Sequence, residues 1–257
     1  MSRFIEKLKK QSASPAQPMG FRRSIPTDVA PSVLLIAKVA ADAAGSPVKN
    51  IEGADGVLLY DDNNKISARS LARMVKPLGS TPWGIFLDES DDTAKALADI
   101  GCDFVVLSPT CPVTAIPQAE KVAKILQVES AMDDGLLMAL NDLPVEAVLA
   151  ADTFEENGKL VWHHLMILRY MAMLVNKPLL VPVSPTIDSV ELKALWDAGI
   201  EAIVVPVDAA KGENLKDLHE MALKLPPRSA RKTRKADVFL PSVRESKAAP
   251  PPEEEDE

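Results

Sequence analysis

Aromatic side chains are scarce in this sequence: they make up 4% of its 257 residues, whereas apolar residues as a whole reach 47%. The core must therefore be built from aliphatic side chains, a composition typical of parallel strands that are buried on both faces. Cysteine is scarce too, and the two that are present, Cys102 and Cys111, lack the spacing of a metal-binding or redox pair. This argues against a disulfide framework and favours a reducing, cytoplasmic compartment.

Long apolar runs and basic stripes are also missing. The longest apolar stretch, Leu160–Val175, is short for a membrane span and contains His163, His164 and Arg169, so we predict a buried or interface helix there. The net charge is −8, and the last five residues are all acidic. Because no run of Lys and Arg with interleaved aromatics is present, neither nucleic acid nor a membrane is expected as a partner. The N-terminal charges have no apolar run behind them, so no secretory signal is expected.

Three segments differ in composition. Residues 1–31 combine a short basic helical pattern with a proline-rich stretch, and we predict an N-terminal extension that docks against one end of the folded body. The apolar face of this helix is formed by Phe4, Ile5 and Leu8. Residues 32–226 carry the regular pattern of the main domain. Residues 227–257 are first basic and then acidic, which indicates a flexible tail.

Short runs of Val, Ile and Leu recur roughly every 20 to 30 residues, as βα units require. The eight predicted strands are Ser32–Val39, Gly56–Asp61, Trp83–Asp88, Asp103–Ser108, Ile125–Glu129, Ala147–Ala151, Pro178–Val183 and Ala202–Val207. The helical patterns between and after them are Ser67–Pro77, Asp91–Ile100, Pro117–Ala123, Asp133–Leu143, Lys159–Val175, Ser189–Ala198 and Asn214–Leu225. This alternation predicts an α/β fold, a closed (βα)₈ TIM barrel. The rival, a doubly wound open sheet, would be favoured by a glycine fingerprint after a strand, which is absent.

A glycine followed two residues later by an acid precedes three of the predicted strands. The pairs are Gly53 with Asp55, Gly101 with Asp103, and Gly199 with Glu201. Glycine at this position closes a helix in left-handed geometry, and the acid leads into the next strand. The pattern supports the αβ loops that a barrel needs.

The stretch Lys177–Val207 carries a strand, the loop Ser184-Pro185-Thr186-Ile187, a helix and an Ala-Gly-Ile-Glu phrase before the last strand. It resembles the aldolase-type and ribulose-phosphate-binding barrels, and the resemblance extends over roughly Val33 to Leu225. In those families, glycines after strands seven and eight grip a phosphate. This sequence lacks them, and strand eight runs into Pro206-Val-Asp-Ala-Ala-Lys-Gly212 instead.

A second stretch, Ile125–Ala151, is similar to the middle of the pyruvate- and phosphoenolpyruvate-handling barrels. In that family a strand ends in an acidic residue, and the next strand brings an Asp near a metal. Glu129 and Asp152 match those acids. The resemblance therefore implies Mg²⁺ or Mn²⁺ bound by Glu129 and Asp152.

Active sites in this architecture lie at the carboxyl ends of the strands. Those ends here carry one lysine and many carboxylates. The predicted catalytic residues are Lys38, Asp88, Glu129 and Asp152. The predicted substrate-binding residues are Asp61, Ser108, Ser184, Thr186 and Asp208.

Two chemistries fit these groups. In one, Glu129 and Asp152 hold a divalent cation that stabilises an enolate. In the other, clustered acids keep Lys38 protonated for electrostatic stabilisation or acid catalysis. Acids after strands also cap helices, and Asp133 and Asp188 are expected to do only that. No histidine lies near Cys111 in sequence, so a Cys-His pair has no support.

The sequence favours an enzyme of lyase or aldolase type that acts on a small anionic metabolite, a carboxylate or a phosphorylated compound. Self-association into a homo-oligomer stays open. A non-catalytic barrel that serves as a scaffold or interaction protein is the alternative, supported by the missing phosphate glycines and the charged tail. A flavin-binding oxidoreductase is a further alternative, although its phosphate grip needs the same glycines.

Overall fold

The computed structural model describes residues 2–12, 32–41, 51–61, 67–88, 97–115, 122–151, 159–207 and 215–226. The strands are β1 (Leu34–Ala40), β2 (Gly56–Tyr60), β3 (Trp83–Leu87), β4 (Phe104–Leu107), β5 (Ala123–Glu129), β6 (Ala147–Ala151), β7 (Leu179–Pro182) and β8 (Ala202–Val207). The α-helices in these ranges are α1 (Arg3–Ser12), α2 (Ala68–Val75), α3 (Asp134–Ala139), α4 (Trp162–Leu174), α5 (Ser189–Ala198) and α6 (Leu215–Leu223). Short 3₁₀ turns cover Lys76–Leu78, Val113–Ala115 and Leu140–Asp142.

The eight strands form a closed parallel barrel. Each strand pairs with the next one in the chain, and β8 pairs with β1. This confirms the predicted (βα)₈ barrel and excludes the open sheet. Every predicted strand is present, with ends that differ by at most two residues. The division of the chain at residues 31 and 226 stays a prediction, and the predicted tail lies outside the described residues.

Two helical predictions need comment. Ala123, predicted to end a helix, instead begins β5 and pairs with Phe104 of β4. The reason is the two-residue alternation of side chains along a strand. Ala123 and Ile125 both point into the barrel, whereas in a helix two residues at this spacing would lie on different faces. Most of the predicted helix at Asp91–Ile100 lies outside the described residues, and the part that is described, 97–100, forms turns.

The left-handed geometry predicted for the three glycine-acid turns is present, and Gly199 also ends a helix as predicted. Gly53, Gly101 and Gly199 have φ angles of 97°, 84° and 114°, which lie in the left-handed region. At Gly53 a side chain would also be crowded, because a Cβ there would lie 3.0 Å from the carbonyl oxygen of Leu215. The acid that follows has a role of its own, since the carboxylate of Asp55 accepts a hydrogen bond from the backbone N–H of Leu35 at 3.1 Å.

Helix α1 closes the amino end of the barrel, as predicted for the docked extension. Its three apolar side chains are buried and join the inner core of the barrel: Phe4, Ile5 and Leu8. The carboxylate of Asp103, just before β4, accepts hydrogen bonds from the N–H groups of Arg3 (2.8 Å) and Phe4 (2.9 Å) and from the hydroxyl of Ser2 (2.6 Å). Asp103 therefore satisfies helix amides that lack partners within the helix.

Two glycines on the strands, Gly56 and Gly84, leave space for the aromatic rings at this end of the barrel. A Cβ on Gly56 would lie 3.2 Å from the ring of Phe4, and one on Gly84 would lie 2.4 Å from the ring of Phe104. The two rings lie against each other with centroids 5.0 Å apart. The amino end of the barrel is thus packed shut by α1.

Helix α4 spans 13 residues, packs against α3 and α5, and joins the outer core of the barrel through its buried side. Leu168, Met171 and Ala172 form its buried side. This agrees with the prediction of a buried or interface helix. In the part of the chain that the structure describes, no helix is long and apolar enough to cross a membrane.

Candidate active site at the carboxyl mouth of the barrel

The direction of each strand-end side chain follows from the alternation along its strand. Ile36, Val106 and Ile125 belong to the inner core, so positions two or four residues further along the same strand also face the barrel axis. Two predicted site residues on the strands have this inward register: Lys38 and Glu129. Ser108, Asp88 and Ser184 continue the inward register just beyond β4, β3 and β7. The register thus directs five predicted residues towards the barrel axis at the carboxyl end, and their roles stay predictions.

Lys38 is held against an aromatic ring. Its Nζ atom lies 4.4 Å from the centroid of the Tyr60 ring, a cation–π distance. Tyr60 is the last residue of β2 and has the inward register of Leu58, whose Cα is paired with that of Lys38. Both side chains are half-buried. The ammonium group is thus positioned at the inner wall of the mouth.

A hydrogen-bonded chain links β4 to β3 at the mouth. The hydroxyl of Thr110 donates to the Asp88 carboxylate at 3.1 Å, and the hydroxyls of Ser108 and Thr110 lie 2.7 Å apart. Because the Thr110 hydroxyl donates its proton to Asp88, the Ser108 hydroxyl is the donor in the hydrogen bond between Ser108 and Thr110. Asp88 itself is exposed. This arrangement orients one carboxylate oxygen of Asp88.

Cys111 lies next to this chain and is half-buried. Burial raises the pKa of its thiol, and the negative charge of Asp88 raises that pKa further. The thiol form is therefore favoured, and the thiolate that a cysteine nucleophile needs is disfavoured. This agrees with the absence of sequence support for cysteine catalysis.

The loop after β7 is organised by its own side chains. The hydroxyls of Ser184 and Thr186 lie 2.8 Å apart, and Ser184 also accepts the backbone N–H of Thr186 at 3.3 Å. At the start of α5, the Asp188 carboxylate accepts the N–H groups of Val190 and Glu191, each at 2.8 Å. A carboxylate thus already occupies the helix end where a phosphate would otherwise find free amides. The expectation that Asp188 caps a helix is confirmed, as it is for Asp133, which accepts the N–H of Gly135.

The remaining predicted residues are placed as follows. Asp61 follows β2 with the register of Leu59, which packs in the outer core, so the structure does not bring it into the inward-facing set. Glu129 is the exposed last residue of β5, paired in register with Ala151. Asp152 and Asp208 lie outside the described residues. Within those residues no group of three His, Cys, Asp or Glu side chains is arranged to hold a metal ion, and the predicted Mg²⁺ or Mn²⁺ site at Glu129 and Asp152 stays a prediction.

Sequence reasoning missed two inward-facing residues. Tyr60 was treated as part of a strand, and Gln127, which has the inward register of Ile125 and is half-buried on β5, was not considered. The signal was present, because alternate positions from the core residues of each strand lead directly to both.

Comparisons with known proteins confirm the fold. A mutant tryptophan synthase α-subunit from Pyrococcus furiosus matches with a TM-score of 0.56 and 14% identity, covering 74% of this chain and 96% of that one. A 3-hexulose-6-phosphate synthase matches with a TM-score of 0.57 and 15% identity, covering 74% of this chain and 99% of that one. No family model and no curated protein matches the sequence. The resemblance to the aldolase-type and ribulose-phosphate-binding barrels is thus confirmed as a likeness of fold.

Proposed function

We propose that the mouth of the barrel binds a small anionic metabolite and catalyses a lyase- or aldolase-type reaction on it. The observation that supports this most is the Lys38 ammonium group, which is held at the inner wall of the mouth by the Tyr60 ring. A cation fixed at the ends of the strands attracts an anionic ligand and orients it. The hydroxyl of Ser108 and the carboxylates of Asp88 and Glu129 supply further polar groups on the same side of the barrel.

These groups suit the cleavage of a carbon–carbon bond next to a carbonyl. A carboxylate base, Asp88 or Glu129, takes the proton of a hydroxyl group on the substrate, and the carbon–carbon bond breaks as a new carbonyl forms. The electron pair of that bond moves onto the first carbonyl and gives an enolate. Lys38 donates a hydrogen bond to the enolate oxygen, which is where negative charge develops. The Thr110 hydroxyl, already bonded to Asp88, keeps this carboxylate oriented.

The names of the similar structures support the same coarse class. One is a synthase named for a phosphorylated sugar, and the other is a subunit of tryptophan synthase. Because the identities are 14–15%, this supports an anionic substrate and carbon chemistry without choosing a compound. A phosphate bound here would need amides other than those of Val190 and Glu191, which Asp188 occupies.

A thermal-shift screen tests the proposal. The ligands are sugar phosphates, short oxo- and hydroxycarboxylates, flavin mononucleotide, and Mg²⁺ or Mn²⁺ alone and in combination with the anions. A ligand present at about 100 times its Kd contributes roughly 2.7 kcal/mol of stability. For a barrel of this size that is a rise of several degrees in Tm.

Lys38→Met removes the charge while keeping most of the side-chain volume, and we expect it to weaken anion binding by about 10- to 100-fold. Lys193→Met is the matched control, because Lys193 is an exposed lysine of α5 that pairs with Asp197 away from the mouth. Anion binding that survives Lys38→Met at wild-type strength would refute the assignment. A shift with flavin or metal alone, and none with the anions, would favour the corresponding cofactor.

The second candidate is a non-catalytic barrel that serves as an interaction protein. The specific observation in its favour is that Asp188 fills a helix end that a phosphate-binding barrel would leave free. This function predicts that no small anion in the screen raises the Tm. It also predicts that the protein binds another protein through its surface.

A further inference from the structure

The outer side of α4 is apolar and exposed. Trp162 is 82% exposed, Met166 69% and Met173 66%, and Tyr170 is exposed to a lesser extent. These four residues, which we name the α4 stripe, follow one another at intervals of four, four and three positions and therefore share one helix face. The opposite face packs on the barrel through Leu168 and its neighbours. Helix α4 is therefore apolar on its buried side and along the exposed stripe. A surface helix normally has one apolar face, and that face points towards the core.

Helix α3 extends this surface. The hydroxyl of Tyr170 donates to the carboxylate of Asp134, and the side-chain amide of Asn141 donates to the carbonyl of Leu174 at 2.9 Å. These two contacts lie on either side of Met138, which is therefore adjacent to the carboxyl half of the α4 stripe. Met138 is itself exposed. The apolar surface thus spans two neighbouring helices.

The size of this surface is that of a protein interface. With ordinary side-chain areas, the exposed parts of the stripe and of Met138 amount to roughly 700 Å². The largest apolar patch of a typical monomer is about 300–600 Å². A standard interface takes about 800 Å² from each partner, including its polar rim. The exposed apolar area of the stripe and Met138 is therefore close to the area that one partner contributes to a standard interface.

We infer that this surface binds a second copy of the chain, with the two α4 helices antiparallel across a two-fold axis that passes near Met166. The spacing of the stripe is symmetric about this residue, since Trp162 and Tyr170 lie four positions to either side. A two-fold axis there brings Trp162 onto Tyr170 of the partner subunit, and Tyr170 onto Trp162 of the partner subunit. A self-complementary surface of this kind is what an isologous dimer requires.

The charges beside the stripe fit the same arrangement. Lys159 is exposed at the amino end of α4, Asp133 and Asp134 are exposed beside its carboxyl half, and Arg169 is exposed in that half too. Antiparallel pairing brings Lys159 of each subunit towards the partner's Asp133 and Asp134, at both ends of the interface. An anionic membrane surface would repel these two carboxylates. A second copy therefore fits Lys159, Asp133 and Asp134 better than a membrane does.

Light scattering after size-exclusion chromatography gives the first test. We expect the full-length protein to have twice the 27.7 kDa of one chain at micromolar concentrations. Met166→Glu places two carboxylates against each other at the axis and weakens the dimer by at least about 100-fold. Val113→Glu is the control, because Val113 is 79% exposed on the turn after β4, and we expect it to leave the dimer intact. A monomeric wild-type protein, or a dimer that is indifferent to Met166→Glu, would overturn the inference.

Cross-linking tests the geometry and does not depend on loss of association. In a Cys111→Ser background, Met166→Cys is treated with a bismaleimide whose span is about 8–10 Å, the separation of packed helices. We expect Met166→Cys to give cross-linked dimers with itself. We also expect a mixture of Trp162→Cys and Tyr170→Cys to give a higher yield of cross-linked dimers than either of these two variants by itself. Equal yields from the mixture and from its separate components would contradict the antiparallel two-fold arrangement. Circular dichroism confirms that each variant is folded.

Discussion

Replacing Phe4 by alanine removes the aromatic ring with which α1 plugs the amino end of the barrel. The ring is fully buried, lies 5.0 Å from the Phe104 ring between centroids, and occupies the space that Gly56 leaves open. Deleting a buried phenylalanine costs the transfer free energy of the ring together with the cavity that remains, about 3–5 kcal/mol. In a barrel of this size the corresponding fall in Tm is roughly 10 °C.

Urea denaturation measures this loss, followed by circular dichroism and by tryptophan fluorescence, to which the buried Trp83 of β3 contributes together with Trp162 and Trp196. Glu6→Ala on the exposed side of the same helix is the matched control, and we expect it to change the free energy of unfolding by less than about 0.5 kcal/mol. A loss below about 1 kcal/mol for Phe4→Ala would refute the docking of α1 in the inner core. The same conclusion would follow if the two variants had equal stability.

Further predictions concern the strands, a helix cap and a thiol. Gly84→Ala forces a Cβ to within 2.4 Å of both the ring and the carbonyl oxygen of Phe104, so we expect a loss of about 3 kcal/mol in urea denaturation; unchanged stability would contradict this close approach. Asp188→Ala removes two hydrogen bonds at the start of α5 and is expected to cost about 1 kcal/mol by the same measurement; no change would show that the cap is dispensable. Cys111 is expected to react with iodoacetamide more slowly than a free thiol at pH 7, because burial and Asp88 raise its pKa. Asp88→Asn removes the second of these causes, so it should lower that pKa and speed alkylation; an unchanged rate would contradict the assignment.

The barrel was predictable from the sequence because each strand is a short aliphatic run bounded by turn residues. The turn at Gly199 and Glu201 illustrates this, since a left-handed glycine and the strand after it are local properties. The start of β5 at Ala123 was not predictable in the same way. That residue is in a strand because Phe104 of the preceding strand, β4, pairs with it, and residues next to Ala123 in the sequence do not show this pairing.

The candidate site was predictable in outline only. Strand position alone put Lys38, Asp88, Ser108 and Glu129 at the mouth, and their inward register is consistent with that choice. The same criterion also selected Asp61, whose register faces the outer core. The Lys38–Tyr60 contact depends on the register between β1 and β2, which no local pattern specifies.

The two ends of the barrel use acidic residues for different purposes. At the amino end, Asp55 and Asp103 accept backbone hydrogen bonds from β1 and α1, so their role is structural. At the mouth, the described carboxylate of Asp88 is exposed and accepts one side-chain hydrogen bond. Counting acids in the sequence does not separate these two groups, whereas their hydrogen-bond partners do.

The most direct test of a functional mouth is a crystal structure of the protein with the anion that gives the largest thermal shift. We predict that the anionic group lies within hydrogen-bond distance of the Lys38 Nζ atom, on the inner side of the strands and near Ser108. Density for the ligand on the helical surface, or at the amino end beside α1, would contradict the proposal that the mouth is the functional site.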